Sequence, residues 1–411
     1  MNILHINSFD KKGGAEIVFN ICRKNPYVKN FSGYVKISDD SEYPDIKFYN
    51  WEDNNKLLGT LNYIFSIKNY FSLKRFLENH EIDIIHLHGF FASISPSILL
   101  AIKKIKRRRK NIKVIQTLHD FHLICPNASL YNFNKNKLCE KCIGKTVKLY
   151  IIKDNCDRRG WIHSLIKGIR SFISNHFLKH KELIDRFICP GEFIKSKIIQ
   201  DGISENKIIV IRNPVNIQFN EYTKKENIVC YYGRFSKEKN LEFLINAFTK
   251  WKETNNNNNF KLLLIGDGEE KPILIDRAKK SKFNKDIIFE KFVPQQELFN
   301  LIKSAKYFSL ASNCYEVAPM SVIEAISHNI IPIAPDIGGM EESIIKLSKV
   351  GLTYKSNDIN SWIKAINILE STYEERIKDL TNIKNILVKE FSIENYLLKI
   401  NEVYQSLINT H

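Results

Sequence analysis

The chain has 411 residues, 44% of them hydrophobic, and a mean hydropathy of −0.26. This length suits about two α/β domains and excludes a single small module. No apolar run approaches the roughly 20 residues of a membrane-spanning helix, and the formal charge is +17. We therefore expect a cytoplasmic protein, either free or bound peripherally at the inner face of the cell membrane.

Short apolar runs alternate with longer helical patterns along nearly the whole chain. The runs are continuous and rich in β-branched residues, which is typical of parallel sheets covered on both faces. Strands are predicted at residues 2–8, 82–89, 113–119, 186–190, 208–214, 228–233, 261–266, 287–292, 307–312 and 330–335. The pattern predicts the α/β fold class, with two Rossmann-like doubly wound domains facing across a cleft.

Turn-forming and charged residues replace this periodicity at 213–227, which divides the chain into two halves. We predict an N-terminal Rossmann-like domain over 1–212, carrying a cysteine-containing insert at 125–156. A C-terminal Rossmann-like domain follows over 213–391. The last residues, 392–411, form an amphipathic helix that we expect to cross back to the N-terminal domain.

A glycine pair, Gly13 and Gly14, follows the first predicted strand. Glycines allow a tight turn into the next helix, and the free amides at a helix start bind anions. The spacing differs from that of a Walker loop. We expect an acceptor or phosphate loop at these two residues.

Residues 103–113 contain eight basic side chains and no acidic one. Such a run suits an anionic membrane surface, nucleic acid or a solvated helix end. Apolar residues between Ile98 and Ile105 precede it, and 161–181 repeats the same mixture, which favours the membrane. A helix that faces the core would give the same pattern.

His119 is predicted at the carboxyl end of a strand, followed by further polar residues. A histidine there could hydrogen-bond a substrate hydroxyl or move a proton near neutral pH, and the alternative is a buried, satisfied histidine. His86, His88 and His122 compete for this position. His88 ends the neighbouring strand.

Four of the eight cysteines fall in the insert, at Cys125, Cys139, Cys142 and Cys156. Their spacing suits a structural Zn²⁺ site, and a cytoplasmic location argues against two disulfides. Free thiols are the third interpretation. The other cysteines lie in or beside apolar runs, as small core residues do: Cys22, Cys189, Cys230 and Cys314.

Three strand-to-helix loops in the second half carry residues suited to a nucleotide. Arg234 and Lys239 are a cation pair that could neutralise a diphosphate. Gly266 would let the backbone approach a nucleotide, although its glycine spacing is not that of a dehydrogenase. Val293 would give an apolar edge for a base.

Two glutamates, Glu316 and Glu324, lie eight residues apart across a predicted strand-to-helix turn. Between them, Ala318, Pro319 and Met320 mark a helix start whose amides favour a phosphate, and proline suits the first turn. A carboxylate accepts hydrogen bonds from neighbouring hydroxyls. Glu324 could therefore hold a ribose diol and Glu316 a sugar, whereas two solvated surface glutamates are the alternative.

Together these stretches resemble the retaining GT-B glycosyltransferases, in particular glycosyltransferase family four, the group 1 type. The resemblance runs nearly end to end, and it is carried by GGAE at 13–16, TLHD at 117–120, NPVN at 213–216, GRFSKEKN at 233–240, GDGE at 266–269, FVP at 292–294 and the Glu-x7-Glu pair. One departure stands at 317–319, where many relatives are glycine-rich.

The resemblance implies a role for each matching residue. Arg234 and Lys239 would hold the donor diphosphate, Glu324 the ribose and Glu316 the donor sugar, with His119 against the transferred sugar. His119 and Glu316 are then the catalytic residues, through positioning and electrostatics. It also implies retention of configuration, by attack on the face that the leaving group vacates.

The sequence contains no Asp-x-Asp pair, so cations and amide dipoles would replace the metal ion used by many glycosyltransferases. We therefore expect no cofactor for catalysis. A structural Zn²⁺ in the insert is a separate expectation. The expected partners are a UDP- or GDP-linked sugar, a glycan or lipid-linked acceptor of a surface polysaccharide, and an anionic membrane.

Two alternatives remain. A nucleotide-sugar epimerase or hydrolase could use the same architecture and would release nucleoside diphosphate without an acceptor. A basic nucleic-acid-binding protein is the other class, but the sequence offers no recognition helix, aromatic platform or finger spacing, and no nucleic acid is expected as a partner.

Overall fold

The computed structural model of the chain describes residues 1–11, 13–37, 42–217, 224–254, 259–344 and 349–409. Two compact units result: unit 1 comprises Met1–Asn213 and Ile393–His411, and unit 2 comprises Pro214–Ser392. The region predicted to separate two halves, 213–227, starts at this division, and its residues 218–223 lie outside the described ones. No helix of the described residues is both long and apolar enough to cross a membrane.

Unit 1 is built on a parallel sheet. The strands are β1 (Asn2–Phe9), β2 (Lys29–Val35), β3 (Ile46–Lys47), β4 (Ile84–Leu87), β5 (Lys113–Thr117), the hairpin β6 (Tyr131–Asn132) and β7 (Lys137–Leu138), β8 (Arg186–Cys189) and β9 (Ile208–Val210). Within the described residues, the main sheet has seven strands in the order β3-β2-β1-β4-β5-β8-β9, each neighbour paired in parallel. β1 and β4 are buried along almost their whole length, because helices cover both faces of such a sheet.

The helices of unit 1 connect these strands. They are α1 (Gly14–Arg23), α2 (Lys56–Ile64), α3 (Ile67–Asn79), α4 (Ser97–Arg108), α5 (Tyr150–Lys153), α6 (Trp161–Phe172), α7 (His180–Leu183) and α8 (Glu192–Gln200). A π-helical turn, Ile173–Phe177, continues α6, and 3-10 turns span Trp51–Asp53 and Glu205–Lys207.

The apolar side of α4 faces the core of unit 1. Ile98, Leu99 and Ile102 are fully buried and Ile105 is 6% exposed, so this stretch is not a membrane face. Several basic side chains of the run at 103–113 bind protein groups: Lys106 pairs with Asp185 at 2.6 Å, and Arg109 donates to three backbone carbonyls. The apolar residues of this stretch therefore belong to a helix that faces the core, and a membrane contact of the basic run at 103–113 stays a prediction.

Unit 2 contains the second parallel sheet. Its strands are β10 (Glu226–Tyr232), β11 (Lys261–Ile265), β12 (Ile287–Glu290), β13 (Ala305–Ser309), β14 (Ile331–Pro335) and β15 (Leu352–Tyr354). In the described part of the unit, their order is β12-β11-β10-β13-β14-β15, with parallel pairing throughout. The predicted α/β fold class with two doubly wound sheets is thus confirmed.

Helices flank the sheet of unit 2 as well. They are α9 (Leu241–Thr254), α10 (Lys271–Lys279), α11 (Gln295–Ile302), α12 (Met320–Ser327), α13 (Ile359–Ser371), α14 (Tyr373–Asn382) and α15 (Lys384–Phe391), with 3-10 turns at Lys237–Lys239 and Asn284–Asp286. Trp251 of α9 and Trp362 of α13 meet edge to face at 5.9 Å in the core. Each indole N–H has a partner, Asn367 Oδ1 at 2.7 Å and Ser309 Oγ at 3.1 Å, so both rings are buried without an unsatisfied donor.

The last helix, α16 (Ile393–Ile408), belongs to unit 1. The Tyr404 hydroxyl lies 2.7 Å from Nδ1 of His86 in β4, and the Tyr396 hydroxyl lies 3.5 Å from Sγ of Cys22 in α1. These buried polar contacts fix the helix against the sheet at a sequence separation of more than 300 residues.

Candidate active site

The strand order locates the binding edge of unit 2. β10 lies between β11 and β13, so the chain leaves β10 and β13 in opposite directions and opens a crevice at their carboxyl ends. Ligands of open α/β sheets bind at such a switch point. The loop after β10 carries Arg234 and Lys239, and the loop after β13 carries Glu316.

Lys239 and Glu316 form an ion pair at this switch point. The Lys239 ammonium donates to Oε1 of Glu316, which also accepts from Ser312 Oγ at 2.8 Å. Only 22% and 20% of the two side chains are exposed. Burial alone would raise the pKa of Glu316, but Lys239 and Ser312 lower it below its ordinary value. Burial likewise opposes the charge on Lys239, and Glu316 raises its pKa, so both groups are ionised at neutral pH.

Arg234 is the exposed member of the predicted cation pair. Its Nη2 donates to Oε1 of Glu238 at 2.7 Å, and 62% of its side chain is exposed. Glu238 is buried, and its Oε2 has no hydrogen-bond partner among the described residues. The loop therefore presents one accessible guanidinium beside the largely buried ammonium of Lys239.

Glu324 lies in the second turn of α12, at 8% exposure. Its Oε1 accepts a hydrogen bond from Nε2 of Gln295, 3.0 Å away at the start of α11. Burial raises the pKa of Glu324 to about 7, although the bond from Gln295 acts in the opposite direction. A buried carboxyl with one side-chain partner is a costly arrangement in the absence of a further donor.

The start of α12 sits between the two glutamates, as predicted. Pro319 precedes the helix, which begins at Met320, and Ala318 and Met320 are half-buried. The loop is braced from the end of β14: the Gly339 amide donates to the Glu316 carbonyl at 2.8 Å. A Cβ at Gly339 would lie 2.3 Å from the Val317 carbonyl oxygen, so a glycine is required at this contact.

Gly266 and Val293 both pack within unit 2, and their contact with a nucleotide stays a prediction. Gly266 has φ +149°, and a Cβ there would lie 2.0 Å from the Gly233 carbonyl oxygen. Its close approach is thus to the neighbouring loop of the same unit, a contact that sequence reasoning missed. Val293 is buried at 6% exposure, whereas the adjacent Phe292 is 73% exposed.

The equivalent edge of unit 1 lies where β1 separates β2 from β4. Gly13 and Gly14 are exposed at the start of α1. The side chain of Asn7 links this loop to the end of β4, because its Oδ1 accepts from the Gly89 amide at 2.7 Å and its Nδ2 donates to Glu16 at 3.2 Å.

His119 follows β5, half-buried, at the same edge of the unit 1 sheet. Its Nε2 lies 3.1 Å from Nδ1 of His88, and the two rings stack. Burial lowers the pKa of His119 to about 4, against an opposing effect of Asp120. The imidazole is therefore neutral at physiological pH.

The competing histidines take different positions. His86 is buried between the hydroxyls of Tyr404 and Thr117, and His122 lies 2.7 Å from Asp120. His5, which sequence reasoning did not consider, brings a ring nitrogen within 4.8 Å of those of His86 and His88. His88 is thus the histidine that contacts His119. The sequence signal for this contact was a histidine at the end of each of two adjacent strands.

The four cysteines of the insert, Cys125, Cys139, Cys142 and Cys156, line one cavity of unit 1 and are not in disulfides. The other cysteines are buried singly, as expected: Cys22, Cys189, Cys230 and Cys314. Partners such as Glu238, Gln295 and Ser312 were missed, because no local pattern marks a residue whose role is to hold another.

Comparison with known proteins places both halves in one enzyme class. A family model described as Glycosyltransferase Family 4 matches residues 52–219, and one described as Glycosyl transferases group 1 matches residues 214–384. The α-monoglucosyldiacylglycerol synthase of Acholeplasma laidlawii is 23% identical over 368 residues, which cover 89% of this chain and 84% of that protein.

Two solved structures share the fold over nearly the full length. HepE of Anabaena in complex with UDP has a TM-score of 0.68 at 16% identity, covering 99% of this chain and 100% of that one. The lipopolysaccharide outer core galactosyltransferase WaaB in its apo form has a TM-score of 0.65 at 17% identity, covering 99% of each chain. With both family models matched and this fold shared, the chain belongs to the group 1 glycosyltransferases of the GT-B fold.

Proposed function

We propose that this protein is a retaining, metal-independent hexosyltransferase that moves a sugar from a UDP- or GDP-linked donor to a growing surface glycan. One observation carries the proposal. At the switch point of unit 2, the ionised pair of Lys239 and Glu316 comes from the loops after β10 and β13. The same loops carry the exposed Arg234 and lead into α12, whose second turn contains the buried Glu324.

The donor diphosphate binds to the cationic side chains of unit 2. Breaking the sugar–phosphate bond builds negative charge on the departing diphosphate, and Arg234, Lys239 and the amides at the start of α12 are fixed positive groups that stabilise it. Glu324 accepts hydrogen bonds from the two ribose hydroxyls, which supply the donors that this buried carboxyl lacks. Glu316 accepts from hydroxyls of the donor sugar.

His119 is the residue of unit 1 that we assign to the transferred sugar. A neutral imidazole hydrogen-bonds a hydroxyl without adding positive charge beside a sugar carbon that becomes electron-poor in the transition state. The acceptor attacks the face that the diphosphate leaves, and the diphosphate takes the acceptor proton. Gly13 and Gly14 provide amides on the acceptor side.

We further propose peripheral binding to an anionic membrane that holds a lipid-linked acceptor. Helices α2 and α6 pack together, and both expose large apolar side chains: Leu57 at 73%, Leu61 at 55%, Trp161 at 54% and Ile162 at 66%. An exposed apolar surface on a chain of charge +17 suits an interfacial contact with anionic lipid. The name of the Acholeplasma relative, a diacylglycerol-lipid synthase, supports the same acceptor class.

A ligand screen followed by product analysis tests the enzymatic proposal. UDP, GDP and their sugars are screened for an increase in melting temperature, which a bound ligand raises by mass action. The Lys239→Met variant should lose the response, and Lys237→Met, at an exposed lysine two residues away, should keep it. Equal responses of the two variants would contradict the site.

Transfer is then measured with the active donor. NMR of the product should show the anomeric configuration of the donor, and EDTA should leave the initial rate unchanged. An inverted product or an immediate loss of rate would overturn retention or metal independence. Nucleoside diphosphate release that no acceptor accelerates would indicate a hydrolase.

Cosedimentation with phosphatidylglycerol vesicles tests the membrane contact. Leu57→Glu and Ile162→Glu should reduce binding, whereas Ile273→Glu, at a 55% exposed isoleucine of unit 2, should not. Equal binding by all three variants and the parent would refute this surface.

A further inference from the structure

The cysteine insert of unit 1 contains a cavity that the glycosyltransferase site does not use. Cys125, Cys139, Cys142 and Cys156 all line it, although they come from separate segments spread over 32 residues of chain. The cavity measures about 10 Å³, which is room for one water-sized particle. The four sulfurs have the number and the type of ligands of a tetrahedral thiolate metal site. Among the described residues, only His5, His86 and His88 bring three possible ligand atoms within 4.8 Å of one another, so the cysteine side chains would have to close in on an ion.

Amide groups point at two of these sulfurs. The side-chain amide of Asn132 donates to Sγ of Cys156 at 3.4 Å. The backbone N–H groups of Asn127, Ser129 and Leu130 lower the pKa of the Cys125 thiol, although burial has the larger effect and raises it. Convergent donors favour a sulfur that carries negative charge. A neutral thiol in the core would not require them.

The backbone around Cys125 is held in an uncommon conformation. Ala128 and Leu130 have φ values of +64° and +49°, a left-handed conformation that is strained for residues with a side chain. This turn brings the three amides to Cys125. Such a conformation persists only where its surroundings impose it.

The insert has too few buried apolar side chains to hold this turn by packing alone. Apart from cysteines, the buried hydrophobic side chains of residues 125–156 are Leu130, Tyr131 and Ile151. Segments with so small a core are usually ordered by disulfides or a metal ion. The four sulfurs are free thiols here, and Lys135, Lys148 and Lys167 lie near enough to act electrostatically on them.

We propose that Cys125, Cys139, Cys142 and Cys156 bind one structural Zn²⁺ that holds the insert together. Four Zn–S bonds form, the four S–H protons pass to solvent, and the site gains a net charge of −2. The three nearby lysines are each also paired with an aspartate, so they offset this charge only in part. Zinc is preferred to Mg²⁺ or Ca²⁺ because thiolates are soft ligands, and it undergoes no redox change.

The metal also supports the loop that carries His119. The Cys125 amide donates to the Phe121 carbonyl at 2.8 Å, and the Phe121 amide donates to the Ala128 carbonyl at 3.1 Å. These bonds join the Cys125 turn to a residue two positions after His119. Loss of zinc should therefore disorder the insert first and slow sugar transfer as a consequence.

Metal content measures the proposal directly. Full-length protein, purified under reducing conditions and supplied with Zn²⁺, should contain one zinc per chain by elemental mass spectrometry. Cobalt reconstitution should give the visible bands and near-ultraviolet thiolate charge transfer of tetrahedral Co²⁺. The Cys139→Ala variant should lose the metal, and Cys189→Ala, a buried cysteine of β8 in the same unit, should retain it.

Other outcomes overturn the site. Zinc-free protein with eight titratable thiols in denaturant would show free cysteines, and four thiols that appear only after reduction would show two disulfides. One iron per chain would refute zinc. If Cys139→Ala fails to fold, limited proteolysis of the parent protein still decides: chelator must accelerate cleavage within 125–156 before it does so elsewhere, and unchanged cleavage refutes the structural role.

Discussion

Replacement of Glu324 by glutamine should stabilise unit 2 at alkaline pH while it removes nucleotide binding. Glu324 is 8% exposed, and burial raises its pKa from 4.5 to about 7. A carboxyl that is costly to ionise in the folded protein and easy to ionise in the unfolded chain reduces stability. Glutamine keeps the shape and can still accept the hydrogen bond from Gln295, but it carries no proton to lose.

The sign of the effect follows from the two pKa values. Below pH 4.5 the carboxyl is protonated in both states, so the substitution changes little. Between pH 4.5 and 7 the unfolded chain releases its proton and the folded unit keeps it, and the free energy of unfolding of the parent protein falls. Above pH 7 the penalty is complete.

The magnitude follows from the size of the pKa difference. Since a tenfold change in proton affinity corresponds to about 1.4 kcal/mol, the penalty reaches about 3 kcal/mol. For a unit of this size that is roughly 6–12 °C in melting temperature. Glu324→Gln should therefore exceed the parent by this amount at pH 8 and match it at pH 4.5.

Denaturant unfolding from pH 4.5 to 8.5, followed by tryptophan fluorescence, measures the difference. Glu297→Gln, the same change at an exposed glutamate of α11, should give a small difference at every pH, because an exposed carboxylate is hydrated in both states. A stability difference for Glu324→Gln that does not vary with pH would refute the reasoning, as would a nucleotide response equal to that of the parent.

Three further predictions concern Glu316, His119 and the close backbone contact between Gly266 and Gly233. Glu316→Gln should lower the transfer rate by about 100-fold or more, with near-native circular dichroism, and transfer above a tenth of the parent rate would contradict its role. The profile of kcat/KM against pH should show no inflection near 6.5 from His119, because its pKa is about 4; such an inflection, absent in His119→Asn, would refute that value. Gly266→Ala should destabilise unit 2 by about 3 kcal/mol or more, from the clash and the φ of +149° together. Gly202→Ala, at φ +88° with open space around the new Cβ, should cost less in a denaturant series, and equal losses would exclude the clash.

Much of the fold was predictable because it depends on local pattern. Continuous apolar runs mark buried parallel strands wherever they occur, and the ten predicted strands correspond to ten in the two sheets. The short edge strands β3 and β15 were missed, since an edge strand needs less apolar sequence than a central one, and so was β2, a more polar strand next to β3. The loops that carry Lys239 and Glu316 could be placed at strand ends for the same reason.

Other features depend on contacts between distant residues. The pattern of α4 was compatible with a core or a membrane, and only burial of Ile98 and Ile102 decides between them. The contact of Tyr404 with His86 spans more than 300 residues. The hydrogen bond from the Gly339 amide to the Glu316 carbonyl joins the loop after β14 to the loop after β13. None of these has a local signal.

The amino-acid sequence alone determined the two parallel sheets and the residues presented at their carboxyl ends, because strand periodicity and turn chemistry are short-range properties. The tertiary structure decided which charges meet and how far each is removed from water. The pKa of Glu324, the pairing of Lys239 with Glu316 and the convergence of four cysteines all depend on that burial and proximity, which exist only once the chain has packed.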